Sequence, residues 1–222
     1  LTDLAVLKRL LLPRGFTFAK SLGQNFLVNP SVCPRMAALC GAGPETGVLE
    51  IGPGVGVLTA ELAKAARRVV AVELDGRLLP VLAETLAGFP NVEVVHGDAM
   101  KIDLAALLAE RLPGMELVCC ANLPYYITSP VLMRLLESRL PLRAITVMVQ
   151  REAAKRLCAP PVSREAGAVS YAVRYYAEPR ELFGVSAGSF HPAPKVDSSV
   201  IRLDVRVAPA VSCGSEALLF RL

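Results

Sequence analysis

The chain contains no tryptophan and two histidines, His96 and His191, neither of them in a ligand spacing. A structural or catalytic metal is therefore not expected. The six cysteines show no paired metal pattern, and the neighbours Cys119 and Cys120 would face opposite sides of a strand. Several lie in apolar stretches, which favours a reducing compartment over a disulfide scaffold. No apolar run approaches the ~18 residues that span a bilayer, so no membrane partner is expected. Lys8-Arg9-Leu10-Leu11-Leu12 is too short for a signal peptide and is followed by Pro13. A cytoplasmic location is the resulting expectation. Leu1 stands where an initiator Met would, which suggests a numbering that begins inside a longer chain. Excess charge is also scarce: 24 Lys+Arg against 20 Asp+Glu give a net +4, which permits a polyanionic partner without demanding one.

Apolar residues are plentiful. At 222 residues and 53% hydrophobic content, the chain can bury the core of one large domain. Helical spacing from Thr2 to Leu12 stops at Pro13-Arg14-Gly15, and Pro30-Ser31 opens a second helix through Cys40. From Gly47 onward the pattern is strand, turn, helix, repeated. Such alternation predicts an α/β domain with a doubly wound, mostly parallel sheet, whose ligands gather at the strands' carboxyl ends. Val200 to Val205 alternates cleanly and is expected to be a last, half-exposed, antiparallel strand.

Four polar features fall at those carboxyl ends. After Val48-Leu49-Glu50-Ile51 comes Gly52-Pro53-Gly54-Val55-Gly56, where glycines let the backbone bend and pass close to a ligand. A dinucleotide fingerprint would need glycine at position 57, which is Val57, so a nucleoside cofactor fits better than a pyrophosphate. Glu73 ends the second strand, about 20 positions on, where an acidic side chain can accept from ribose hydroxyls. Asp75 is the simpler helix cap. Asp98, after the third strand, is a candidate acceptor for an adenine amine or another helix cap. The fourth strand, Leu117 to Ala121, runs into Asn122-Leu123-Pro124-Tyr125-Tyr126. There the Asn122 amide oxygen and a nearby carbonyl can hold both N–H groups of a purine amine, while Tyr125 stacks on the base. An ordinary strand-to-loop turn explains that stretch equally well on its own. Phe190, followed by Pro192 and Pro194, presents a second ring from a stiff loop.

Taken in order, six stretches resemble the S-adenosylmethionine-dependent ribosomal RNA small-subunit adenine dimethyltransferases of the KsgA type. They are Ser21-Leu22-Gly23-Gln24-Asn25-Phe26-Leu27, Glu50-Ile51-Gly52-Pro53-Gly54, Val72-Glu73-Leu74-Asp75, Gly97-Asp98-Ala99, Asn122-Leu123-Pro124-Tyr125 and Phe190 to Ser198. The resemblance implies a Rossmann-like class I methyltransferase fold over residues 1–208, with 209–222 beginning a helical domain that is mostly absent. It implies that Gln24, Asn25, Leu27, Gly52, Gly54, Glu73, Leu74, Asp98, Ala99 and Asn122 bind S-adenosyl-L-methionine. It further implies that Asn122, Leu123, Pro124, Tyr125 and Phe190 receive the target adenine. The implied reaction is direct methyl transfer to adenine N6 on two adjacent adenosines in a 3′-terminal hairpin loop of 16S RNA. The implied partner is small-subunit ribosomal RNA or a pre-30S particle, met by a monomer without metal. Arg134, Arg139, Arg143, Arg151, Lys155 and Arg156 are candidate phosphate contacts. A macrolide-resistance type large-subunit methyltransferase and a non-catalytic ribosome-assembly or transcription factor share much of this pattern. The Pro194-Lys195-Val196-Asp197-Ser198 form favours the small-subunit group.

Overall fold

The computed structural model describes residues 1–16, 25–212 and 214–216. Gln24 and the stretch Ser21 to Gly23 lie outside them. Asp3 opens the first helix, α1 (Leu4–Leu11), by accepting the backbone N–H groups of Ala5 and Val6. A two-residue strand, β1 (Phe26–Leu27), and a helix, α2 (Val32–Leu39), precede the repeating part. There follow β2 (Thr46–Ile51), α3 (Val57–Ala65), β3 (Arg68–Glu73), α4 (Leu79–Thr85), β4 (Val92–His96) and α5 (Leu104–Arg111). The order continues with β5 (Glu116–Asn122), α6 (Thr128–Glu137), β6 (Leu142–Gln150), α7 (Arg151–Cys158) and α8 (Ala168–Tyr176). β7 (Ala177–Val185), β8 (Phe190–His191) and β9 (Ser198–Val205) complete it.

Seven strands form one sheet in the order β4-β3-β2-β5-β6-β9-β7. Each helix carries the chain back to the same edge, so β2 to β6 pair in parallel. β9 is antiparallel to both of its neighbours, β6 and β7. The expected mostly parallel, Rossmann-like sheet with a reversed last strand is the one observed. Winding proceeds from β2 toward β4 on one side and from β5 toward β6 on the other. The switch between β2 and β5 is where a crevice opens in such sheets.

Period-two alternation splits the core into two layers. Leu49, Val70, Cys119, Ile145 and Ile201 pack with α5, α6 and α8 on one face. Val48, Val69, Cys120, Met148 and Val200 pack with α2 and α3 on the other. Cys119 and Cys120 do face opposite ways, and the five described cysteines are free. A third cluster joins Leu7, Leu10 and Leu11 of α1 to Phe26, Val55 and the α4 side chains Val81 and Leu82.

Two local expectations change. β9 is not half-exposed, because it is flanked on both edges and Ser198 to Ile201 are buried. Its polar-looking Arg202 has a side chain only 12% exposed, and the guanidinium is spent on Asp204 and the Leu39 carbonyl. Asp98 does not cap α5. Its carboxylate accepts from Met100 N at 2.9 Å within a turn, and Asp103 caps the helix through Ala106 N. Helix α6 opens without a side-chain cap, and Thr128 Oγ1 in its first turn donates back to the Pro124 carbonyl. Asp75, by contrast, caps the turn that follows it through Arg77 N, as its position suggested.

Candidate active site

β2 ends at Ile51, and the chain must turn at once into α3. Gly52 and Gly54 take φ values of +70° and +62°, a region that L side chains rarely adopt. A Cβ built on either meets nothing within 4 Å, so these glycines border open space rather than tight packing. That space is a cleft at the β2/β5 switch point. It is lined by Asn25, Leu27, Gly52, Gly54, Glu73, Asn122, Leu123, Pro124, Tyr125 and Phe190, together with Cys33, Glu50 and Leu78. Leu74, Asp98 and Ala99 do not line it. Leu74 is 59% exposed, and Asp98 sits beyond β4 with Lys101 Nζ 3.7 Å from its carboxylate.

Glu73 is the last residue of β3 and is buried at 5% exposure. Its Oε1 accepts from Asp75 N at 2.8 Å and its Oε2 from Gly54 N at 3.3 Å. Burial pushes its pKa up while those backbone N–H groups pull it back. Two carboxylate oxygens offer about four acceptor sites, so capacity remains for ligand hydroxyls.

Glu50 is a feature to which the sequence reading gave no role. It lies inside β2 at 1% exposure, and its Oε2 has no hydrogen-bond partner among the described residues. Burial raises its pKa from 4.5 to about 8, opposed by Thr59 and aided by the charge of Glu73. The signal was available: an acid inside the apolar run Val48-Leu49-Glu50-Ile51 is costly to bury and rarely accidental.

The opposite wall is neutral. Asn122 closes β5, and its side-chain amide has no hydrogen-bond partner among the described residues. Pro124 begins a short turn, and its carbonyl accepts from both Ile127 N and Thr128 Oγ1. Tyr125 is half-buried, and its hydroxyl lies 2.7 Å from Ser198 Oγ. Burial raises its pKa, which keeps the phenol neutral. Phe190 is 4% exposed and lies on β8, which pairs with β1 so that Leu27 faces Phe190 and Phe26 faces His191. This two-stranded seam brings Asn25 and Leu27 to the cleft.

The donor set fits a nucleoside with a charged tail. Open space stands over two glycines, a buried carboxylate holds spare acceptor sites, and an orphaned acid oxygen lies at the floor. Among the described residues, no group of three or more His, Cys, Asp or Glu is placed to hold a metal.

Residues 15–215 match the model of the family described as Ribosomal RNA adenine dimethylase. The chain belongs to that family. A Ribosomal RNA small subunit methyltransferase A from Shouchella clausii is 48% identical over 219 residues, covering 98% of this dimethylase chain and 73% of the relative. Its counterpart from Bacillus licheniformis is 46% identical, covering 97% of this chain and 74% of its own. Among solved structures, a dimethyladenosine transferase from Plasmodium falciparum has a TM-score of 0.71 at 30% identity, over 82% of this chain and 63% of that one. The 23S rRNA methyltransferase ErmE has a TM-score of 0.74 at 32% identity, over 89% and 75%.

The candidate phosphate contacts divide by position. Arg139 and Arg143 flank the amino end of β6, across the sheet from the cleft. Arg139 pairs with Glu216, and Arg143 binds the Gly41 carbonyl at 2.8 Å. Arg134 donates to the Ile102 carbonyl at 2.8 Å. Each of these three has a partner within the fold. Arg151, Lys155 and Arg156 lie on α7, which begins at the cleft end of β6. Arg151 approaches Asp197 at 3.7 Å and Arg156 approaches Glu152 at 3.3 Å, while exposed Lys155 has no partner among the described residues.

Proposed function

We propose that this chain transfers methyl groups from S-adenosyl-L-methionine to N6 of two adjacent adenosines in a 3′-terminal hairpin loop of small-subunit (16S) ribosomal RNA. The observation that carries the reading is the meeting of two walls in one cleft. The glycine turn with Glu73 faces the Asn122–Tyr125 turn with Phe190, in a chain of the adenine dimethylase family.

Glu73 would take the ribose hydroxyls of the cofactor on its spare acceptor sites. The backbone at Gly52 and Gly54 would approach its tail, and Asn25 and Leu27 would cover it. Asp98, with one carboxylate oxygen engaged by Met100 N, would accept from the cofactor's adenine amine, flanked by Leu74 and Ala99. Gln24 is assigned to the same site from its motif. When bound, S-adenosyl-L-methionine supplies an electrophilic methyl group on its sulfonium sulfur.

The chain's own work is on the base. An adenine amine is a poor nucleophile because its lone pair is delocalised into the ring. Two acceptors holding its N–H groups favour the geometry in which that lone pair is free to attack. Asn122 supplies one. Both lone pairs of the Pro124 carbonyl are already used, which leaves the Leu123 carbonyl as the adjacent second acceptor. Tyr125 and Phe190 hold the base faces after it leaves its stack. Positioning is the main requirement, and no nucleophilic side chain is needed. Lys155 and Arg151 would meet phosphates beside the cleft. We take the chain to act as a cytoplasmic monomer on pre-30S particles. No helix among the described residues is long and apolar enough to cross a membrane.

The rival reading, a large-subunit methyltransferase, draws support from the ErmE likeness at a TM-score of 0.74. The higher identity, 48%, to a small-subunit methyltransferase favours the first. Primer extension on both ribosomal RNAs after incubation with enzyme and cofactor separates them. Mass spectrometry should find dimethyladenosine in the small-subunit RNA. Stops on the large-subunit RNA would favour the rival, and RNA binding without methyl incorporation would favour a non-catalytic factor.

A further inference from the structure

Ser198 begins β9 at 0% exposure, opposite Gln150 of β6 and Val185 of β7. A hydroxyl this deep needs a partner. It finds one in the Tyr125 hydroxyl at 2.7 Å, 73 residues away in the chain. Ser198 does not line the cleft, whereas Tyr125 does. The ring of Tyr125 has two rotatable bonds and sits on a short turn without a side-chain cap. Its contact with Ser198 is therefore the tether that selects one ring orientation. Burial raises the pKa of the phenol further, so both hydroxyls keep their protons and either can donate in that bond.

The residue next door fastens the other ring. Asp197 Oδ1 accepts from Ala187 N at 3.0 Å, holding the turn that leads into Phe190. The Asp197 carbonyl accepts from Arg151 N at 2.9 Å, which pins this corner to the start of α7. The Asp197–Ser198 corner thus contacts the Tyr125 hydroxyl directly and holds the backbone of the turn that leads into Phe190.

We infer that Ser198 is a positioning residue for base capture: with Asp197 it sets the gap between the rings of Tyr125 and Phe190 that receive the target adenine. This rests on the function proposed above. It gives the Pro194-Lys195-Val196-Asp197-Ser198 stretch a role in the site that requires no contact with substrate.

The test compares wild type, Ser198→Ala, Tyr125→Phe and the double variant on an RNA hairpin carrying the two adjacent adenosines. Each single change should lower kcat about three- to tenfold, the range expected for one hydrogen bond. The double variant should be no slower than either single one, because both remove the same bond. Ser198→Thr, which keeps the hydroxyl, should recover much of the rate. Cofactor affinity should stay at the wild-type value throughout. With 2-aminopurine in place of the target adenosine, the short-lifetime stacked fraction should fall in all three hydroxyl-deletion variants. Wild-type kcat in folded Ser198→Ala, or additive losses in the double variant, would overturn the inference. Should Ser198→Ala fail to fold, Tyr125→Phe decides alone: it keeps the ring, and an unchanged kcat and stacked fraction reject the role. Absence of methylation by the wild type would instead reject the underlying function, so the two failures are distinguishable.

Discussion

The β2–β3 wall of the cleft is made of backbone and carboxylate, whereas the β5–β8 wall is made of an amide and two rings. Gly52 N donates to the Val72 carbonyl at 2.9 Å, and Ile51 pairs with Val72, so the first wall is an extension of sheet hydrogen bonding. Its Glu73 is held by the backbone of the loops on either side. The second wall joins segments far apart in sequence, through a two-strand seam and a tyrosine–serine contact. The first wall is joined to its neighbours in space through the main chain. The second adds to its strand pairing a side-chain contact between Tyr125 and Ser198.

Substitutions that affect one wall alone sharpen this contrast. Asn122→Ala should have the largest effect, lowering kcat on the order of 100–1,000-fold by analogy with the loss of one oriented hydrogen-bonding group. Titration calorimetry should still detect cofactor binding, and near-normal turnover would remove Asn122 from its role. Glu73→Ala should act on the other wall, weakening cofactor binding about 10–100-fold, as expected for hydrogen bonds to a charged group. RNA affinity measured without cofactor should be unchanged; a parallel loss there would break the division between walls.

Glu50 tests the first wall through pH. Its folded pKa, about 8, lies above the ordinary 4.5, so the folded chain holds a proton that the unfolded chain releases across that interval. Stability should therefore fall as pH rises from about 4.5 to about 8, with a slope of up to about 1.4 kcal/mol per pH unit. Denaturant melts of Glu50→Gln should show that component of the slope removed; an unchanged profile would mean that the folded chain does not hold Glu50 in its protonated form at neutral pH. The smallest effect belongs to the periphery. Lys155→Ala should reduce the slope of log affinity against log salt by about 1, while Arg143→Ala, across the sheet from the cleft, should leave it unaltered.

Most of the first wall was legible in the sequence because its signals are local. A glycine turn after an apolar run and an acid at the next strand's end need only the parallel-sheet rule to bring them together. The second wall was legible as pieces: Asn122 to Tyr125 and Phe190 were each visible, but their connection was not. Strand order is non-local, and nothing in the alternation of Val200 to Val205 says that β9 inserts between β6 and β7. Arg202 misleads for the same reason, since its place on a half-exposed pattern conceals a guanidinium that closes the end of α2. The cap alternative for Asp98 fails because a turn separates it from α5, whose cap is Asp103. Ser198 carried no signal beyond its motif, its partner being 73 positions away.

The seam between β1 and β8 fixes more than proximity. Successive residues of a strand point to opposite faces, so Phe26 enters the α1 cluster while Leu27 enters the α2–α3 cluster. A slip by one residue would exchange the two, asking a leucine to fill the place of a phenyl ring and the reverse. Helix α1, which contributes nothing to the lining of the cleft, therefore acts as a register key. By accepting only Phe26 it dictates that Leu27, and not its neighbour, stands opposite Phe190.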